Sequence, residues 1–365
     1  MKAFMYSLLR GVDMKFHRTA AGLLGLFISI YLGTGILVAQ KRLVVIDQDG
    51  VGPGGSDIQS ILLLLEAQDV KVLGVTVVSG DVWADEGTRH ILRALETVGR
   101  SDVPVFTGSN LPLIRTAVET RIEKGLYGKA WYQGALGIAD EHAPLKEGEP
   151  TTTAAGSNGV EFLISMVHKY PHQVTIFAGG PMTNIAVAIR TDPDFAKLAK
   201  ELVFMGGSLN PKTDDPEFAF NPRHEFNFWF DPEAAHIVLT APWPGITQTT
   251  VDVSLQARLT HAAGDKLKTC GTRSAKYMSQ YGSGSPDMWD ELAALTWIDP
   301  AVVAGSKTLY VDVALDHGYN YGDTLTWSPA NHPDALPLQP VRVQMELDHQ
   351  RFERRYLALM CGTAF

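Results

Sequence analysis

The chain has 365 residues, 45% of them hydrophobic and 19% charged, enough apolar material for one large α/β domain or two smaller ones. Its formal net charge is -9, and an acidic surface repels phosphate backbones, which argues against general nucleic-acid binding and favours a neutral or cationic ligand or a metal. The two cysteines, Cys270 and Cys361, are too few for a zinc cluster or a dense disulfide framework; they make either one bridge in an oxidising compartment or two buried thiols.

At the start of the chain, Lys2, Arg10, Lys15 and Arg18 precede an apolar run from Ala20 to Ala39, after which Gln40-Lys41-Arg42 turns polar. A positive flank, an apolar centre and small residues near its end make a signal peptide. About 20 apolar residues can also span a bilayer, so an uncleaved anchor is the competing reading. Both predict an exported protein, periplasmic or secreted, with transient or anchored membrane contact through its N-terminus. Residues 1–39 are therefore set apart, and 40–365 are read as a single domain.

Leu43-Val44-Val45-Ile46 reads as a strand buried on both faces, followed by the glycine-rich turn Gly50 to Gly55 and a helix opening at Ser56-Asp57. Val72–Val78 is a second strand, Glu86–Val98 an amphipathic helix, and Val103–Phe106 a short third strand. Residues 109–157 break this rhythm, being rich in Gly, Tyr, Trp and charge without a clean period; they read as a long loop or lid. The alternation resumes with helix Gly159–His168, strand Val174–Phe177, helix Met182–Arg190, strand Leu202–Met205, helix Pro232–Leu239 and strand Ile246–Thr249. Strand-like Leu309–Val313 and Val341–Met345 and a final helix Asp348–Met360 follow. Strand–helix repetition of this kind predicts an α/β fold with a mostly parallel central sheet flanked by helices.

Ligands of an open parallel sheet bind beyond the carboxyl ends of the strands. Asp47 and Asp49 stand at the end of the first strand, and Asp57 opens the following helix. Crowded carboxylates repel unless protonated or neutralised by a cation. Oxygen-only donors with no His or Cys beside them point to a hard ion, calcium or magnesium. The plainer alternatives are a solvated strand end for Asp47 and a helix cap for Asp57.

Val44–Leu65 resembles the N-terminal signature of the inosine-uridine nucleoside hydrolase family. Further similar motifs follow in order: Gly74–Asp81, Thr88–Gly108, Gly180–Ala186, Met205-Gly206-Gly207, Glu225-Phe226-Asn227 with Asp231–Ala235, and Trp289–Ala293. The resemblance covers about residues 43–360 and is closest in pattern to purine-preferring members. It implies calcium held by the carboxylates of Asp49, Asp57 and Asp290 and the carbonyl of Gly179. It makes Asp49 the general base on a calcium-bound water and puts Asp47 behind the metal, orienting its ligands. Glu225 and Asn227 would hold ribose hydroxyls, with Ser56, Asp81, Met205 and Trp289 also at the substrate. The reaction implied is calcium-dependent hydrolysis of a ribonucleoside N-glycosidic bond, purine preferred, by a homo-oligomer acting on a small molecule.

The chain departs from the family pattern at three points. Ser56 stands where the family has a second aspartate, so a charge that meets the ribose is missing. The Asp49-to-Asp57 spacing is three residues longer, within Gly50–Gly55. Trp289 stands where pyrimidine-accepting members carry a His; indole protonates a leaving base poorly but offers a face to stack on a purine. His224 could be a substitute donor, although a lone His is more often a satisfied structural residue. Trp131 and Tyr132 could cap the base, while Asp214, Asp215 and Glu217 read as a solvated loop. Ser56 motivates one rival reading, a hydrolase of another N-ribosyl or glycosyl compound. A second rival is a catalytically weak, exported ligand-binding protein of the same fold.

Overall fold

Runs of Val, Ile and Leu, stiff at χ1 and suited to a pleated surface, make most of the strands. The strands are β1 (Arg42–Gln48), β2 (Val70–Val77), β3 (Val105–Thr107), β4 (Val174–Ala178), β5 (Glu201–Met205), β6 (Ile246–Thr249), β7 (Val303–Val313), β8 (Thr324–Trp327) and β9 (Pro340–Leu347). The computed structural model describes residues 40–128, 132–137, 144–282 and 287–365. Residues 1–39, with their signal-peptide or anchor reading, lie outside it. Among the described residues no helix is long and apolar enough to cross a membrane.

The nine strands form one sheet in the order β3-β2-β1-β4-β5-β6-β9-β7-β8. From β3 to β9 all neighbours are parallel, whereas β7 runs antiparallel to both β9 and β8. The alternation of β1 distributes its side chains between two cores. Val44 and Ile46 pack with the helices Ser56–Glu66, Ala84–Val98, Asp290–Ile298 and His349–Cys361, while Val45 packs with Gly159–Lys169, Thr183–Thr191 and Pro232–Leu239 on the other face. Residues Gln40–Phe365 form one contact unit.

The strand order reverses at β1: β2 and β3 lie on one side, β4 to β6 on the other. Connections leaving β1 and β4 diverge there and open a crevice at their carboxyl ends. Asp47 is in register with Thr76 of β2 and Ala178 of β4, which places Asp49 and Gly179 at its mouth.

Segment 109–157 contains a helix, Ala117–Tyr127, that hydrophobic spacing does not reveal. Its start is a capping box: Thr116 accepts from the Glu119 N–H and the Glu119 side chain from the Thr116 N–H. Thr120 is its one buried residue, so no inward apolar stripe marks it. Cys270 and Cys361 form a disulfide that ties the end of the helix His261–Lys268 to the end of the C-terminal helix.

Candidate active site

Asp49 leaves β1 into a tight space. A Cβ on Gly80 would collide with Asp49 Oδ2, so only glycine lets that turn pass. The Asp81 N–H, one residue on, donates to Asp49 Oδ2 at 2.8 Å. The lengthened loop turns at once through Gly50, whose φ of +72° is the left-handed region that glycine favours. It then returns so that Val51 N–H donates to Asp57 Oδ2 at 2.6 Å. One oxygen each from Asp49, Asp57 and Asp81 thus lie within 4.8 Å of one another.

These carboxylates face a cavity of about 320 Å³. Ser56, Gly179, Met205, Glu225, Asn227, Trp289 and Asp290 line it as well, so residues far apart in the chain converge on one cavity. Asp290 opens the helix Asp290–Ile298, and its Oδ2 accepts from Gln48 Nε2 at 3.0 Å. Asp47 stays behind the cage, fully buried, holding Thr76 Oγ1 and Asn184 Nδ2 through Oδ1.

Desolvation governs the electrostatics. Burial holds Asp57 well above the usual carboxylate range, reinforced by the like charges of Asp49, Asp81 and Asp290. Asp81 and Asp290 are raised for the same reasons, and burial raises Asp49 too. Asp47 and Glu225 are pushed up to about 7, again by burial first. The described residues lining the cavity include no Lys, Arg or His.

Glu225 caps the short helix Phe226–Phe230 and is gripped by three backbone donors: Asn227 N–H and Gly207 N–H, both at 2.8 Å, and Phe228 N–H at 3.0 Å. Such a grip holds both carboxylate oxygens in place. Asn227 Nδ2 donates to the carbonyls of Gly179 (2.8 Å) and Met205 (3.1 Å). The Gly179 oxygen keeps a second lone pair.

Several residues line the cavity that sequence reasoning did not place there. Asp215 and Glu217, read above as a solvated loop, belong to its wall with Phe218, Phe226, Val251 and Asp287. Burial and the neighbouring Asp215 push Glu217 up to about 7. Tyr132 also lines it, its ring 5.1 Å from that of Phe226; Trp131 lies outside the described residues. The half-buried Trp289 ring tilts against Phe218 at 6.0 Å. His224 is absent from the wall and packs 6.1 Å from the Trp229 ring. Burial, then Arg115, lowers it to about 3, so near neutral pH it is no proton donor. Asp231 caps the helix Pro232–Leu239, accepting from Ala234 N–H.

The Ser56 hydroxyl, on the cavity wall, is engaged on both sides. Its Oγ accepts from the Asp290 N–H at 2.9 Å and donates to Glu291 Oε2 at 2.5 Å. Glu291 is buried, and that burial pushes it up to about 7.

A family model described as inosine-uridine preferring nucleoside hydrolase matches residues 44–354. Uridine nucleosidase 1 of Arabidopsis thaliana is 32% identical, covering 68% of each chain. The inosine-uridine preferring nucleoside hydrolase of Leishmania major is 27% identical over 85% of this chain and 95% of its own. Among solved structures, a plant nucleoside hydrolase is 25% identical with a TM-score of 0.67, covering 88% of this chain and 99% of that one. The matched span begins in β1 and reaches the C-terminal helix, taking in every carboxylate of the cavity. The chain belongs to the inosine-uridine preferring nucleoside hydrolase family and is an N-glycosyl hydrolase of nucleosides.

Proposed function

We propose that the protein hydrolyses the N-glycosidic bond of a ribonucleoside, preferring purines, in a calcium-dependent reaction. The observation that carries this reading is the convergence of Asp49, Asp57, Asp81 and Asp290 on one aromatic-walled cavity. Four crowded carboxylates, Asp81 half-buried and the others buried, with no cationic side chain among the described residues of the wall, need a positive charge from outside. An all-oxygen donor set suits a hard ion, and the flexible geometry calcium accepts fits side chains drawn from separate elements. Asp49, Asp57 and Asp290, with the Gly179 carbonyl, would hold it. When bound, it supplies positive charge that keeps these carboxylates ionised and acidifies a nearby water.

The residues of the chain divide the remaining work. Asp49, one oxygen held by the Asp81 N–H, takes the proton of the attacking water. Glu225, fixed by three backbone donors, and Asn227 hold the ribose hydroxyls. Breaking the ribosyl–base bond develops positive charge on the sugar, as in glycoside hydrolysis generally, and the surrounding carboxylates stabilise it. Trp289, Phe218 and Tyr132 offer faces to the leaving base, and a purine presents the larger one.

An exported location is part of the same reading. It is supported by the charged-then-apolar pattern of residues 1–39 and by the Cys270–Cys361 disulfide, a bond that persists in oxidising compartments. Homo-oligomerisation is carried forward from the family pattern.

A second substrate reading, uridine, rests on the Arabidopsis relative's name. A riboside panel assayed with and without a chelator separates the two. We expect inosine to be cleaved faster than uridine, EGTA to abolish turnover and calcium to restore it. Uridine as the better substrate would overturn purine preference, and full turnover in EGTA would overturn metal dependence. Trp289→His should shift the inosine-to-uridine ratio toward uridine by about tenfold, the scale of one lost stacking contact exchanged for a donor.

A further inference from the structure

Ser56 lies between the two candidate cation ligands that come from different parts of the chain. It opens the helix Ser56–Glu66 one residue before Asp57, while Asp290 and Glu291 open the helix Asp290–Ile298. These two helices pack against each other. At their starts the Ser56 hydroxyl links them, taking the Asp290 N–H and donating to Glu291 Oε2. A second tie comes from β1: Gln48 Oε1 accepts the Asp49 N–H at 2.9 Å while Gln48 Nε2 holds Asp290 Oδ2. Asp49, Asp57 and Asp290 are thus tied together by a small hydrogen-bonded network.

A hydroxyl suits this place because it donates and accepts at once. An ionised carboxylate only accepts. At position 56 it could still take the Asp290 N–H, but it would have no hydrogen to give the buried Glu291 Oε2. We propose that Ser56 and Glu291 form a latch that sets the separation of Asp57 and Asp290, and that the two residues are matched to each other. Ser56 is then a positioning residue, and an aspartate at 56 is tolerated only if Glu291 changes with it. The consequence for calcium rests on the cation reading above; the coupling between the two residues does not.

The test measures calcium affinity by titration calorimetry, and melting temperature in EDTA, for the wild type, Ser56→Thr, Ser56→Ala, Ser56→Asp, Glu291→Gln and the double variant Ser56→Asp/Glu291→Gln. Ser56→Thr keeps the hydroxyl and should bind calcium within about threefold of wild type, whereas Ser56→Ala should lose about three- to tenfold. Ser56→Asp should weaken calcium by at least about tenfold and melt earlier in EDTA, since the bond given to the buried Glu291 Oε2 is lost and two carboxyl groups are left face to face. Glu291→Gln still accepts the Ser56 proton and should change little. The double variant should recover most of the Ser56→Asp loss, because the amide donates to the new carboxylate; coupling on the order of tenfold or more is expected of groups in contact. Ser56→Asp binding calcium as tightly as wild type, or strictly additive effects in the double variant, would overturn the latch. If the wild type takes up no calcium, the cation reading falls, and the EDTA melting cycle decides the latch alone: non-additive supports it, additive ends it.

Discussion

The two ends of β1 handle charge in opposite ways. At the amino end Arg42 is fully engaged: it donates to the carbonyls of Trp297 (2.7 Å) and Ile298 (3.2 Å), pairs with Asp69 at 2.7 Å and stacks 4.4 Å from the Trp297 ring. At the carboxyl end Asp49, Asp57, Asp81 and Asp290 crowd one cavity with no cationic side chain on its described wall. The helix Asp290–Ile298 joins both arrangements, giving its acidic start to the cavity and its last carbonyls to Arg42. Each end obeys the helix dipole, which favours acids at the start and cations at the finish. The amino end is internally neutralised and contributes to stability. The carboxyl end is costly as it stands, and its logic is charge brought in from outside.

Breaking the acidic end should have the largest effect. Asp290→Ala is expected to abolish calcium binding and lower kcat/KM by about a thousandfold or more, since it removes a ligand and a transition-state charge together. Calorimetry that finds unchanged calcium affinity in this variant would remove Asp290 from the cage.

A pH series sharpens the contrast. Asp47, Glu225 and Glu291 are raised from ordinary carboxylate values to about 7 in the folded chain, and Asp49, Asp57, Asp81 and Asp290 are raised as well. A carboxyl with a raised folded pKa favours the native state while protonated. Its contribution is complete below the unfolded value and is lost as pH climbs through the folded one. In EDTA the melting temperature should therefore fall between about pH 4 and pH 7 by roughly 5 °C or more, and calcium should flatten that slope. A melting temperature in EDTA that rises steadily across this range would contradict the assignment.

The smallest effect belongs to the other end. Arg42→Ala should cost about 1–2 kcal/mol, the scale of a partly exposed cation–π contact with its hydrogen bonds, while calcium affinity and kcat/KM stay within about twofold. Loss of calcium affinity in that variant would show that the two ends are not independent.

Much of this was legible before the structure. Asp49, Asp57 and Asp290 stand in short motifs beside strong local signals: an apolar strand end, a glycine-rich turn and a helix start. Each could be placed on an element, and the sheet topology then brings the elements together. The helix Pro232–Leu239 was readable for the same reason. Asp215, Glu217 and Phe218 were not, because a polar loop looks alike whether it faces solvent or a cavity. The helix Ala117–Tyr127 escaped because it buries only Thr120 and so carries no apolar period, although its Thr116–Glu119 capping box was available as a signal. The disulfide was left open because two cysteines 91 residues apart give no indication of distance in space.

The order of apolar runs, turns and helix starts along the chain determined the α/β class, the parallel sheet and the strand end that carries the acids, since these depend on local stereochemistry and on period. The neighbours of each acid were decided only by tertiary packing. Ser56 could be named from the chain as an uncharged residue in an acidic place, but its bond to Glu291, 235 positions away, exists because two helices meet start to start. Burial raised the carboxylates in the same way: water is excluded by elements remote in sequence, so the charge state of the site belongs to the folded molecule.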